Sequence, residues 1–213
     1  MWDADVAAAV QAAFDRTSLP FAAETGTNVV ARVDAYARQW AALQVEACRA
    51  ESAAEEALGL TALRMACLAT RRDALQALAA VLQEADATTV MRAPDMLDAL
   101  PPLTSCEDTG VLASGPLPPP PALSTEVETI RGLLARAAVM SSAGKPQAAS
   151  EHADDALRRA QAIAYRPVHA EAMLRAATSR EEAGELDAAE AAAHDALVLA
   201  LSSHHMVVAA EAC

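Results

Sequence analysis

Aromatic side chains are nearly missing from this chain: two Trp, two Tyr and two Phe in 213 residues, 3% of the total. Residues that favour strands, the aromatic and β-branched ones, are few, while Ala and Leu carry most of an apolar share of 54%. Ala is the best helix former, and Leu, Glu, Gln and Arg follow closely. The expected fold class is all-α, with enough apolar material for one or two domains. Positive charge is also short. Against 29 acidic residues stand 16 basic ones, of which only Lys145 is lysine, for a net charge of −13 and a pI near 4.7. A phosphate-binding face needs clustered Lys and Arg, so no nucleic-acid partner is expected. Attraction to an anionic membrane surface is disfavoured on the same ground. The acidity serves to keep an Ala-rich surface in solution.

Long apolar runs are missing too. No stretch of about 18 apolar residues is free of charge, so no membrane insertion is expected. The chain opens Met1-Trp2-Asp3-Ala4-Asp5, whereas an export signal opens basic and runs into a short apolar core. On this reading the isolated chain is cytoplasmic. The four cysteines, Cys48, Cys67, Cys106 and Cys213, include no Cys-x-x-Cys, which argues against zinc and thioredoxin-type chemistry. The five histidines are His152, His169, His194, His204 and His205. None forms a His-x-x-x-His pair or lies beside a cysteine at metal spacing, and they read as solvated helix-face residues. The neighbouring carboxylates Glu55-Glu56, Asp154-Asp155 and Glu181-Glu182 would point apart on a helix, as solvated faces rather than an acid–base pair. Ala143-Gly144-Lys145-Pro146 resembles the end of a phosphate loop, but Val139 stands where Gly is needed and Pro146 where Ser or Thr is needed. No metal, cofactor or catalytic set is expected, and the chain reads as non-enzymatic.

What the chain does have is helical periodicity. Asp3 to Arg16 reads as a first helix, with Asp3 or Asp5 at its N-terminus and Thr17-Ser18-Leu19-Pro20 as its breaker. Val29, Val33, Tyr36, Trp40, Leu43 and Ala47 follow at spacings that make one stripe of a second helix. Leu58, Met65, Leu68, Leu75, Leu78 and Leu82 do the same for a third. Two long stripes in succession predict an antiparallel hairpin. Ala85 to Leu100 reads as a fourth helix, kinked by Pro94 or ended at Ala93. From Thr104 to Ser124 the composition turns to Gly and Pro, with a proline run at Pro118–Pro121, which is stiff and extended. The expected organisation is a helical hairpin or bundle over 1–103, a linker over 104–124 with the boundary near Pro120, and a repeat region over 125–213.

The repeat has a period of 40. Ala143-Gly144 returns as Ala183-Gly184, and Asp155, Leu157, Val168 and Glu171 return as Asp195, Leu197, Val208 and Glu211. Each unit reads helix, glycine turn, helix, with Gly144 and Gly184 suited to a left-handed helix end. Small residues at Ala149, Ala153 and Ala156 let two helices approach. The spacing resembles the tetratricopeptide pattern, lengthened from its usual ~34 residues and without its bulky aromatics. A third first-helix begins at Met206 and stops at Cys213 without a cap. Such arrays need about three repeats and a polar cap, so the chain reads as cut in mid-repeat.

The ordered motifs Asp34-Ala35-Tyr36-Ala37-Arg38-Gln39-Trp40, Glu46-Ala47-Cys48-Arg49-Ala50, Arg64-Met65-Ala66-Cys67-Leu68 and Leu100-Pro101-Pro102-Leu103-Thr104-Ser105-Cys106 precede the proline run and the Ala-Gly repeats. Together they resemble the C-terminal region of the large serine/threonine protein kinases of myxobacteria. In those proteins an N-terminal kinase domain is often followed by a membrane segment and then by a helical region that runs into tetratricopeptide repeats. Two departures stand out. Glu51-Ser52-Ala53-Ala54-Glu55-Glu56 replaces a polar, Gly-containing turn, and every kinase motif is missing, from the Gly-rich loop to Asp-Phe-Gly.

The resemblance implies a non-catalytic interaction or regulatory arm of such a kinase. The alternative is a stand-alone adaptor or scaffold. Attachment to a membrane-anchored kinase would move the chain to the extracytoplasmic side of the inner membrane. There the cysteines become disulfide candidates. Cys48 and Cys67 would face each other if the hairpin turn centres near position 57 or 58, with Gly59 supplying it. A capping box at Ser52 and Glu55 would instead start the third helix early and leave them ~20 Å apart. In the tetratricopeptide register the partner groove falls on Arg131, Leu134, Ala138, Ser142, Glu171, Leu174, Thr178, Glu181, Glu182 and Glu211. Its end is acidic, which predicts a protein or peptide partner with basic residues. The second reading, a regulatory segment of a kinase, has the N-terminal hairpin dimerise, its stripes continuing through Trp40 and Leu43 into a homodimer.

Overall fold

The computed structural model describes residues 2–49 and 59–213. Among them every regular element is helical: α1 Ala4–Arg16, α2 Ala22–Arg49, α3 Leu60–Gln83, α4 Ala87–Asp98, α5 Thr109–Ala113, α6 Ser124–Ser142, α7 Pro146–Gln161, α8 Arg166–Glu182, α9 Leu186–Ser202 and α10 Met206–Glu211. Short 3-10 turns stand at Leu103–Cys106 and Pro121–Leu123. The capping box at Ser52 and Glu55, the pair Glu55-Glu56 and the first stripe residue, Leu58, lie outside the described residues. No described helix is long and apolar enough to cross a membrane.

Local chemistry sets the helix ends. Asp3, not Asp5, caps α1: its side chain accepts from the Val6 N–H at 3.0 Å, leaving one fewer orphan donor at the first turn. Ser18, at φ +56, turns the chain back so that α1 crosses α2 at Gly26. The crossing is close: a Cβ at Gly26 would stand 3.1 Å from the Phe14 Cβ. Asp86 caps α4, accepting from both the N–H and the hydroxyl of Thr89. The helix does not end at Ala93. It continues through Pro94 to Asp98, because Val90, Ala93, Met96 and Leu97 are all buried and that shared apolar face outweighs the one backbone bond Pro94 cannot donate.

The predicted stripes face inward. Val29 and Val33 of α2 join Leu75, Leu78 and Leu82 of α3 in one core with Val10 and Phe14 of α1. Trp40 donates its indole N–H to the Leu68 carbonyl at 2.8 Å, and Gln44 donates to the Met65 sulfur. Rising numbers on α2 therefore meet falling numbers on α3, an antiparallel pair. At Trp40 and Leu43 the α2 stripe packs against Leu68 and Met65 of α3. The core also crosses the proline-rich segment, since Val139 and Ala143 of the repeat region sit in this same cluster.

The 40-residue period is written into the helix spans: α7 and α9 begin at Pro146 and Leu186, α8 and α10 at Arg166 and Met206. Consecutive helices pack in pairs. Ala149, Ala153, Ala156 and Ala160 on α7 are fully buried, and their short side chains admit the neighbouring helices closely. Gly144 and Gly184 take φ of +73 and +80. After each, an N–H reaches back to the carbonyl five residues before it, Lys145 to Met140 and Glu185 to Arg180, both at 2.9 Å. This is the Schellman closure of a helix end. His204 repeats it at φ +57, with the His205 N–H on the Ala200 carbonyl.

Candidate functional site

The polar centre of the repeat region forms between its first helices. Arg131 on α6 and Glu171 on α8 occupy equivalent positions one period apart, and the two helices lie side by side. The guanidinium grips the carboxylate with two bonds, 2.7 Å and 3.0 Å. His205, in the turn before α10, places its Nε2 3.1 Å from the same carboxylate. The side chains of Arg131, Glu171 and His205 are only 18%, 16% and 12% exposed. Burial alone would raise the Glu171 carboxyl. The Arg131 charge and the bonds from His205 and Arg131 outweigh it and hold the group down at about 2. Burial likewise works against the Arg131 charge, and Glu171 more than restores it.

Tyr165, just ahead of α8, is buried and donates its hydroxyl to the Leu117 carbonyl at 2.7 Å. Its phenol is pushed up by burial, against the pull of Arg131. Between this cluster and α3 lies a cavity of about 200 Å³, bordered by Cys67 and Thr70 of α3 and by Pro116, Pro118 and Pro119. The proline-rich segment therefore lies against the first-helix face of the repeats. That segment also carries α5, whose N-cap is Asp108, and Leu112 buries against the molecule.

The ten residues read as a groove divide into three groups. Arg131 and Glu171 bind each other. Leu134 and Leu174 pack against apolar clusters, while Ala138 is half-buried and the hydroxyls of Ser142 and Thr178 donate to carbonyls of their own helices, Ala138 and Leu174. Glu181, Glu182 and Glu211 are exposed, with Glu182 accepting from the Ser141 hydroxyl. Glu211 also acts at a distance: burial weakens the charge of Arg71 on α3 and of Arg175 on α8, and the Glu211 carboxylate opposes that weakening at both.

Two sequence readings are corrected here. His205 is not a solvated helix-face residue; it is mostly covered and bonded to Glu171. And Cys67 pairs with Cys106, Cα–Cα 5.6 Å, not with Cys48, which is exposed with a free thiol. The register of the hairpin explains the second. Since Trp40 meets Leu68 and Gln44 meets Met65, Cys48 falls opposite the start of α3 near Leu60. That is seven residues short of Cys67, about 10 Å along the axis, beyond disulfide reach. Cys106 arrives by another route. Tyr36 donates to the Pro101 carbonyl at 2.9 Å, and Arg71 donates to the Pro102 carbonyl and the Ser105 hydroxyl. These bonds press the 3-10 turn onto α3 and bury Leu103 and Cys106 beside Leu68.

Sequence reasoning also passed over Tyr165 and the Leu117 carbonyl. The residue one period before Tyr165 is Thr125, so the repeat does not mark it. Compared with protein-family models, with curated proteins and with solved structures, the chain matches none.

Proposed function

We propose that α6–α10 are an elongated tetratricopeptide-like array that binds a partner protein through an extended peptide, as an interaction arm rather than an enzyme. One observation carries this reading. The first helices recur every 40 residues and stand side by side, so equivalent positions line up across the array, as Arg131 and Glu171 do. A face built this way presents the same side-chain row repeatedly to a peptide running across it. The row ends in exposed acids, Glu181, Glu182 and Glu211, which favours basic residues in the partner through electrostatic steering. The resemblance to kinase arms supports a signalling context, with the N-terminal helices as the support that holds the array.

The test is a peptide array of matched basic, neutral and acidic sequences against the full chain. Basic peptides bind, binding weakens as salt rises, and the doubly reversed variant Glu181→Lys with Glu182→Lys loses them. Equal binding of all three sets, or basic peptides held as tightly by the reversed variant, would overturn the reading.

A further inference from the structure

The proline-rich segment has features of a ligand as well as of a linker. Its Leu117 carbonyl takes the Tyr165 hydroxyl at 2.7 Å. Pro116, Pro118 and Pro119 wall the cavity that Arg131, Glu171 and His205 reach from the repeat side. A run of prolines holds an extended shape at low entropic cost, and its carbonyls remain free to accept. Its N-terminal end is pinned to α3 by the Cys67–Cys106 disulfide. Cys67 borders the same cavity, so a small reductant has a path to the bond.

We propose that Gly115–Pro119 is a resident stand-in for a partner peptide, and that the Cys67–Cys106 disulfide latches it over the first-helix face. The partner segment it mimics is extended and proline-containing, with a carbonyl for Tyr165. Reduction opens the latch: a small dithiol gives two electrons and two protons, the Sγ–Sγ bond breaks, Cys67 and Cys106 become thiols, and the dithiol closes to its own disulfide. The strap from Glu107 to Leu117 then leaves the face, and a segment of like chemistry takes its place. This deepens the proposed peptide-binding role, and it concerns the covered middle of the face rather than the acidic end.

Two readings on the full chain test it. Hydrogen exchange is followed at the amides of residues 108–117 with the disulfide intact and after reduction by dithiothreitol. The expected result is exchange at least tenfold faster in this segment on reduction, with α7 and α8 unchanged. No change in the strap, or acceleration spread through every helix, overturns the latch. The second reading titrates the synthetic peptide of residues 113–121. It binds the reduced chain, binds the oxidised chain at least tenfold more weakly, and is lost in Tyr165→Phe, which keeps the ring and removes the donor. Equal binding to both redox forms, binding to neither, or binding untouched by Tyr165→Phe overturns the stand-in. A failure of basic peptides at Glu181 and Glu182 would leave these outcomes as they are, so the two proposals fail separately.

Discussion

Arg131 and Glu171 stand forty residues apart in sequence and 2.7 Å apart in space, equivalent positions of successive helical hairpins joined by a two-bond ion pair. The period that the sequence repeats in letters is thus expressed as one contact between neighbouring first helices. Because both groups are largely withdrawn from water, neither can lose the other cheaply.

That pair dictates an acid dependence. The Glu171 carboxyl lies near 2 in the folded chain against 4.5 for the free group. Its contribution is fully present above about pH 4.5 and is lost as pH falls toward 2. The full amount is on the order of 3 kcal/mol. Thermal melts of wild type and Glu171→Gln across pH 2–7 should show the wild type losing its advantage in that window. Glu171→Gln strands the Arg131 charge and should cost about 3 kcal/mol at pH 7. Arg131→Met with Glu171→Met should cost less than the two single changes together.

The two tyrosines supply an alkaline counterpart. Tyr36 is pushed up to about 12, by burial and against the opposing charge of Arg71, and Tyr165 is also raised. A raised phenol contributes stability below its ordinary value near 10, and that stability is lost as pH climbs through the folded value. Ultraviolet titration of the folded chain should show the Tyr36 phenol still protonated at pH 10 and less tyrosinate than two free phenols would give, with the full signal of both once the chain unfolds. A normal titration near 10 in the folded state would contradict the packing of Tyr36 on Pro101.

Two glycines inside helices should respond in opposite directions. At Gly26 an added Cβ meets the Phe14 Cβ at 3.1 Å, so Gly26→Ala forces α1 off α2 and should destabilise by about 1–3 kcal/mol. At Gly132 nothing lies within 4 Å of an added Cβ. Gly132→Ala should therefore gain the ordinary helix preference, about 0.5–1 kcal/mol, and the equivalent residue one period later is already Ala172. Urea midpoints at constant slope measure both.

The left-handed turns make a second matched pair. Gly184→Ala places a Cβ at φ +80 and should cost about 1 kcal/mol. His204→Gly relieves a side chain already held at φ +57 and should stabilise by about 0.5–1 kcal/mol. The same melts check both signs.

Most helices were legible in the sequence because their cause is local. The stripes Val29 to Ala47 and Met65 to Leu82 are spaced for one face of a helix, and buried Val33, Leu68 and Leu78 confirm the side they use. Gly144 and Gly184 announced their turns because few other residues accept that backbone angle. The fourth helix was legible too, and Pro94 does not end it, because its effect on one backbone bond is local whereas the apolar face that carries α4 past it is shared with α2. Of the candidate site, Arg131 and Glu171 were named by the tetratricopeptide register counted back from the turn glycines, as two separate positions of a groove. Their pairing was not, since nothing in the period says whether two equivalent residues face solvent or each other.

Composition, periodicity and the 40-residue repeat determined that this chain is helical and where its hairpins turn, for these follow from each residue's own backbone and side-chain preferences. Only the tertiary structure decided what meets across long separations. It set the α2–α3 register that denies Cys48 to Cys67, and it brought Cys106 onto α3 through Tyr36 and Arg71. It also laid the proline-rich segment against Tyr165 and covered His205. Each of these depends on how finished helices stack, and a shift of one or two turns along their axes would change every partner while leaving the sequence pattern intact.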